Sequence, residues 1–159
     1  EIGYRLVGSE MCIRDSFYLH VANVYSDIIK PNTKIEPYNV VEIQLISLKN
    51  NDKPDKDFGI EQTWEFAHPE NKINTGPLNN FKKMLKNEIY SILLNHKDHK
   101  IEEIYNNKKI AIYDVIILGS DNFYYEFKWQ VERYDGKGSL NNCWLTTAVS
   151  NPVSLGASI

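Results

Sequence analysis

Apolar positions along the chain change period once. From Pro37 onward Val41, Leu45 and Leu48 recur at helical spacing until Asn50-Asn51, which predicts a first helix with proline in its opening turn. A polar loop follows, and Asp57 is placed to cap a second short helix carrying Ile60, Trp64 and Ala67 on one side, ended by Pro69. Residues 68–77 read as a turn-rich link in which Thr75 caps a third helix with Leu78, Phe81 and Leu85 on one face. Residues 89–94 fit a helical turn or a strand equally well. Residues 96–100 are polar and read as a charged surface loop, and beyond them the period falls to two. Strands are predicted over residues 101–105, 109–118, 123–134 and 143–151. In the third, Phe123, Tyr125, Phe127, Trp129 and Val131 form the core face against Tyr124, Glu126, Lys128, Gln130 and Glu132 on the wet face. The turns at Gly119-Ser120-Asp121-Asn122 and from Asp135-Gly136 predict an antiparallel meander, and helices before a sheet is an α+β order.

Composition adds limits. At 159 residues the chain suits one domain, and 42% hydrophobic with 25% charged residues is enough to build a core. Net charge is −3, from 18 basic and 21 acidic residues interleaved along the chain, which argues against a nucleic-acid footprint. No run of about 18 apolar residues occurs, so no membrane span is expected. The enrichment in Asn, Lys and Ile fits translation from an AT-rich genome, and the Asn pairs read as loop and cap material.

Met11-Cys12-Ile13-Arg14-Asp15-Ser16 resembles the translation of a common transposon-based sequencing adapter. Residues 1–16 are therefore expected to be an artefact of sequence assembly, with the natural start and any targeting segment elsewhere, which leaves the compartment open. Without them Cys143 is the sole cysteine, and no intramolecular disulfide can form. Residues 17–38 form a lead-in, 39–152 the expected domain and 153–159 a C-terminal tail.

Over residues 40–149 the chain resembles the family called domain of unknown function 4864. The match is carried by Gln44 and Leu48, Asp57-Phe58-Gly59-Ile60, Phe66-Ala67-His68-Pro69-Glu70-Asn71-Lys72, Thr75-Gly76-Pro77-Leu78, Phe81, Met84, Tyr90 and Cys143-Trp144-Leu145-Thr146. His68 stands where that family usually has Ser. The resemblance implies an NTF2-like cone, in which N-terminal helices pack on a curved antiparallel sheet, and it implies no activity.

Two readings of chemistry follow. Such a cone can host acid-base catalysis when a carboxylate, Tyr or His points into an apolar mouth, and the candidates are Asp114, His68, Tyr113 and Glu126. Their plainer reading is structural: Glu126 falls on the polar face, Asp114 on the convex side and His68 in a turn. As a binding module, the chain offers Trp64, Phe66, Asn71 and Tyr90 as ligand-binding candidates. His96 and His99, three apart, can approach one metal on a helix, but they sit in the stretch read as a loop, and neither a metal site nor a cofactor is expected. No Gly-x-Ser-x-Gly elbow occurs, and Gly136-Lys137-Gly138-Ser139 lacks the spacing of a phosphate loop. The leading expectation is a non-catalytic module for a small apolar ligand or a protein partner, with a homodimer through the outer sheet as one form. The alternative is a small isomerase, dehydratase or hydrolase using a pocket carboxylate and a Tyr, and a third is an accessory domain of a longer protein.

Overall fold

In the computed structural model, which describes residues 27–158, Pro37 opens helix α1 (Pro37–Lys49). The adapter-like residues and the first part of the lead-in lie outside the described residues. The rest of the lead-in is anchored to the second helix: Ile29 N donates to Gln62 Oε1 at 2.7 Å, and Gln62 Nε2 returns a bond to Ile29 O at 2.8 Å. Helix α1 is buried on nearly every side, with Val40, Val41, Ile43, Leu45 and Leu48 fully enclosed. Helices apolar all round are central ones. This one packs on helix α2 (Phe58–Glu65) and across the sheet.

The α1–α2 contact is set by Gly59. A Cβ there would stand 2.2 Å from Ser47 O and 2.9 Å from Asn51 Cα. Asn51 locks the approach: its carbonyl accepts from Gly59 N at 2.9 Å and its Oδ1 from Ile60 N at 3.0 Å. Asp57 precedes α2 as expected, but its side chain makes no capping bond; it stands at φ 65° with its carboxylate bonded to Lys86 and Asn51.

Residues 69–75, expected as a link, form helix α3 (Pro69–Thr75), and α4 (Leu78–Leu85) follows. Thr75 ends α3 and does not cap α4, whose N-cap is Pro77. A 3₁₀ turn, Ser91–Leu93, resolves the ambiguous apolar stretch.

Five strands complete the α+β fold: β1 (Asp98–Asn106), β2 (Ile110–Leu118), β3 (Phe123–Arg133), β4 (Trp144–Val149) and β5 (Val153–Ala157). All pairs are antiparallel, in an open sheet. One edge of β3 pairs with β2 from Ile110↔Glu132 to Leu118↔Tyr124. Its other edge is shared, β4 taking Trp129 to Arg133 and β5 taking Phe123 to Glu126. At the join Lys128 N donates to Ser150 Oγ at 2.8 Å and Ser150 N to Lys128 O at 2.9 Å, so a side chain fills the gap in the ladder. Strand β5 lies in the expected tail; its side chains are largely exposed and Gly156 has φ 107°, so no alternation marks it.

The inner face carries Ala111, Tyr113, Val115 and Ile117 from β2 and Phe127, Trp129 and Val131 from β3, all buried under the helices. Outside, Asp114 pairs with Lys128 directly across the ladder, and Glu126 lies 3.5 Å from the same ammonium. The inner positions of β3 are fully buried only from Phe127 on. Phe123, expected in the core, is 42% exposed, and Tyr125 is half-buried with its hydroxyl on Asp121.

Two stability tests follow. Gly59→Ala drives a methyl into backbone and is expected to cost at least about 2 kcal/mol in urea denaturation, whereas at an open helix position the same change stabilises by roughly 0.5–1 kcal/mol. Trp129→Ala is expected to cost about 3–5 kcal/mol and Gln130→Ala under about 1 kcal/mol, with equal losses contradicting the face assignment.

Candidate functional site

The segment between α2 and α3 is stitched to β4. Thr146 N donates to Phe66 O at 2.8 Å and His68 N to Thr146 O at 2.9 Å, so Ala67 bridges to Thr146 like a sixth, one-residue strand. His68 then caps α3, its Nδ1 accepting from Glu70 N at 3.2 Å while its ring meets Tyr134 edge-on. Helix α4 is fixed against α2 by two ion pairs, Lys82–Glu61 and Lys86–Asp57, each at 2.8 Å. Burial raises the Asp57 carboxyl, but its bond to Lys86 and that cation's charge, with Asn51 and Lys82, more than offset this and hold it below the ordinary carboxylate range.

These attachments leave a cavity of about 280 Å³ between the helices and the β3–β4 part of the sheet. Leu48, Trp64, Ala67, Phe81, Met84, Leu85 and Leu93 supply apolar wall, and Trp129 with residues 146–149 forms the sheet side. Trp64 and Phe81 stand 5.0 Å apart at 47°. Among the described residues no Asp, Glu, Lys, Arg, His or Cys lines it.

Its polar groups are held in place. Gln44 Oε1 accepts from Trp129 Nε1 at 3.0 Å and Thr146 Oγ1 at 2.7 Å, and Nε2 donates to Thr63 O at 3.1 Å. Both Asn71 Nδ2 hydrogens are committed, to Thr146 O at 3.2 Å and Thr147 O at 2.8 Å. The Tyr90 hydroxyl faces Val149 O at 3.2 Å and Asn151 Oδ1 at 3.3 Å, and burial raises its pKa.

Of the sequence candidates for binding, Trp64, Asn71 and Tyr90 line this cavity, while Phe66 is fully buried in the core and forms no part of the wall. The four acid-base candidates do not converge. Asp114 and Glu126 meet Lys128 on the outer face, and His68 is a helix cap. Tyr113 faces inward, since neighbouring strand positions point to opposite sides, but it packs edge-on to Tyr38 at 6.0 Å and not on the cavity. Its hydroxyl is buried without a hydrogen-bond partner among the described residues, and burial, then the charges of Glu103, Tyr38 and Glu36, keep it protonated.

No protein-family model, curated protein or solved structure matches this chain.

Gln44, Thr146 and Thr75 on the cavity wall were missed as site residues by sequence reasoning. A signal existed for the first: Glu42, Gln44 and Ser47 are polar positions scattered through an apolar helix, and all three are buried.

The expected charged loop at residues 96–100 is also corrected: His96 is 2% exposed. Its Nδ1 lies 2.7 Å from Leu93 O, which can only accept, so that nitrogen carries the proton. Burial pushes its pKa down to about 4, so Nε2 keeps its lone pair and accepts from His99 Nδ1 at 2.8 Å. Burial, then Lys49, lowers His99 as well. Among the described residues no group of three or more His, Cys, Asp or Glu is gathered to hold a metal ion.

The His96 environment sets a pH dependence. The unfolded chain binds a proton at His96 as pH falls below 6.5, while the folded chain resists until about 4. Stability contributed by neutral His96 is therefore complete above pH 6.5 and lost as pH falls through that window, at up to about 1.4 kcal/mol per pH unit. Urea midpoints across the window are expected to fall more steeply for the wild type than for His96→Asn, which removes the titration. Parallel curves would mean that His96 is not held neutral by the fold.

Proposed function

We propose that the chain is an NTF2-like module of the domain-of-unknown-function-4864 kind that binds a small, neutral, mainly apolar molecule in the cavity between its helices and sheet. The order of helices before an open antiparallel sheet, with a cavity between them, supports the NTF2-like reading. The observation that carries the function is the wall itself: about 280 Å³ lined by aromatic and aliphatic side chains, with a few fixed amide and hydroxyl groups and no charge among the described residues. Ligand sites have this make-up, apolar surface for affinity and a few polar groups for orientation.

The acid-base alternative needs a carboxylate or imidazole on that wall, and Asp114, Glu126 and His68 are engaged elsewhere. Tyr90 titrates on the wall, but its raised pKa and its position facing Val149 O suit a hydrogen-bond donor to the backbone.

Thermal melts with a panel of neutral aromatic and aliphatic compounds test this. A ligand at about a hundred times its Kd adds roughly 2.7 kcal/mol, which raises Tm by several degrees. Met84→Trp fills the cavity from α4 and is expected to leave a folded protein whose Tm no longer responds. The proposal fails if no compound shifts the wild type, or if Met84→Trp responds equally.

A further inference from the structure

Most polar groups on the cavity wall are consumed by the fold. Gln44 Oε1 holds two donors, Thr146 Oγ1 is committed to Gln44, and Thr63 Oγ1 donates to Gly59 O at 2.8 Å. Two residues on α3 differ. Both Asn71 amide hydrogens go to backbone carbonyls of β4, which fixes the amide orientation and leaves Oδ1 as an acceptor with no partner among the described residues. The Thr75 hydroxyl likewise has no partner among the described residues. The two positions are four apart on α3, so they share one face, with Cβ atoms about 5–6 Å apart. The same helix face thus offers the cavity an acceptor and, one turn on, a hydroxyl that can donate.

We propose that Asn71 and Thr75 form a specificity strip that selects ligands with a neutral hydrogen-bonding head of the amide class on an apolar, bicyclic-sized body. This rests on the ligand-binding reading above and names the ligand chemistry. An amide N–H donates to Asn71 Oδ1 while its carbonyl accepts from the Thr75 hydroxyl. The body lies against Leu48, Trp64, Phe81 and Met84. A cavity of about 150 Å³ takes one benzene ring, and this one is nearly twice that volume, at about 280 Å³. The head is neutral because an ion entering a wall that has no charged side chain among the described residues sheds its hydration and meets no counter-charge on that wall.

Calorimetric titration of the full chain with 2-naphthamide, 2-ethylnaphthalene and 2-naphthoate tests the strip. The amide is expected to bind roughly tenfold more tightly than the hydrocarbon, the yield of one or two net hydrogen bonds, and the carboxylate to bind weakest. Thr75→Val, which keeps the shape and removes the hydroxyl, is expected to shrink the amide-to-hydrocarbon ratio severalfold, and Asn71→Leu to remove the preference. The ratio is the readout because it is unaffected by a partly folded sample, and Thr75→Val carries the test should Asn71→Leu fail to fold. Equal affinity for amide and hydrocarbon, a ratio unchanged by Thr75→Val, or tightest binding by the carboxylate overturns the strip while leaving a ligand-binding cavity. Binding of none of the three takes down the cavity reading and the strip with it.

Discussion

The Gln44 side chain determines how α1 can sit. Its carboxamide is buried, with Trp129 and Thr146 donating to the oxygen and Thr63 O receiving from the nitrogen. Those partners come from β3, β4 and α2, so one amide fixes a helix against three other elements. Rotating α1 by one residue, about 100°, would carry the amide away from all of them. An orphaned buried group costs roughly 1–3 kcal/mol, and three such losses are comparable with the roughly 5–15 kcal/mol that holds a domain together. Apolar contacts alone would not impose this choice, because α1 presents Val, Ile and Leu on nearly every side. Hydrophobic burial puts α1 in the centre, and hydrogen bonding sets its rotation.

With α1 fixed, the cavity is a consequence of how α3 and α4 are attached. Helix α3 has no buried residue, so nothing drives it down onto the sheet. It is held instead at its start, through the His68 and Asn71 bonds to β4. Helix α4 buries only Phe81 and Leu85, and its Lys82 and Lys86 ion pairs tie it sideways to α2. Two helices tethered at their ends and flanks roof over a space they do not fill. The surrounding apolar side chains forgo dispersion contacts with close neighbours, which a ligand of the right shape would restore.

Elements that bury one face were legible in the sequence, because burial is what imposes a period. Strands β2 and β3 and helix α1 lie where the apolar spacing put them, to within a residue or two at most ends. Helix α3 and strand β5 bury little and carry no period; Pro69, Asn71, Asn74 and Thr75 resemble a turn, and β5 is mostly exposed. His96 was obscured by the polar and charged residues that follow it, Lys97, Asp98, His99 and Lys100. The site was legible in fragments. Trp64, Asn71 and Tyr90 come together only because residues 66–68 fold back onto β4, a long-range contact invisible in local pattern. Of the acid-base candidates, Asp114 lies on the outer face, as its plainer reading had it, while Tyr113 beside it faces inward but away from the cavity.

Several buried or half-buried titratable groups share a direction. Burial raises Tyr90, Tyr113 and Cys143 and lowers His96 and His99, in each case towards the neutral form. Asp57 departs from this pattern because Lys86 stands 2.8 Å away. The rule is one of solvation: a charge leaves water only where a counter-charge is built to meet it. The outer sheet face has such counter-charges in the Asp114–Lys128–Glu126 group, and among the described residues the cavity wall does not. A molecule entering the cavity meets the same desolvation term as the side chains around it. Neutrality of the proposed ligand is thus the same constraint that keeps His96 unprotonated, applied to a guest.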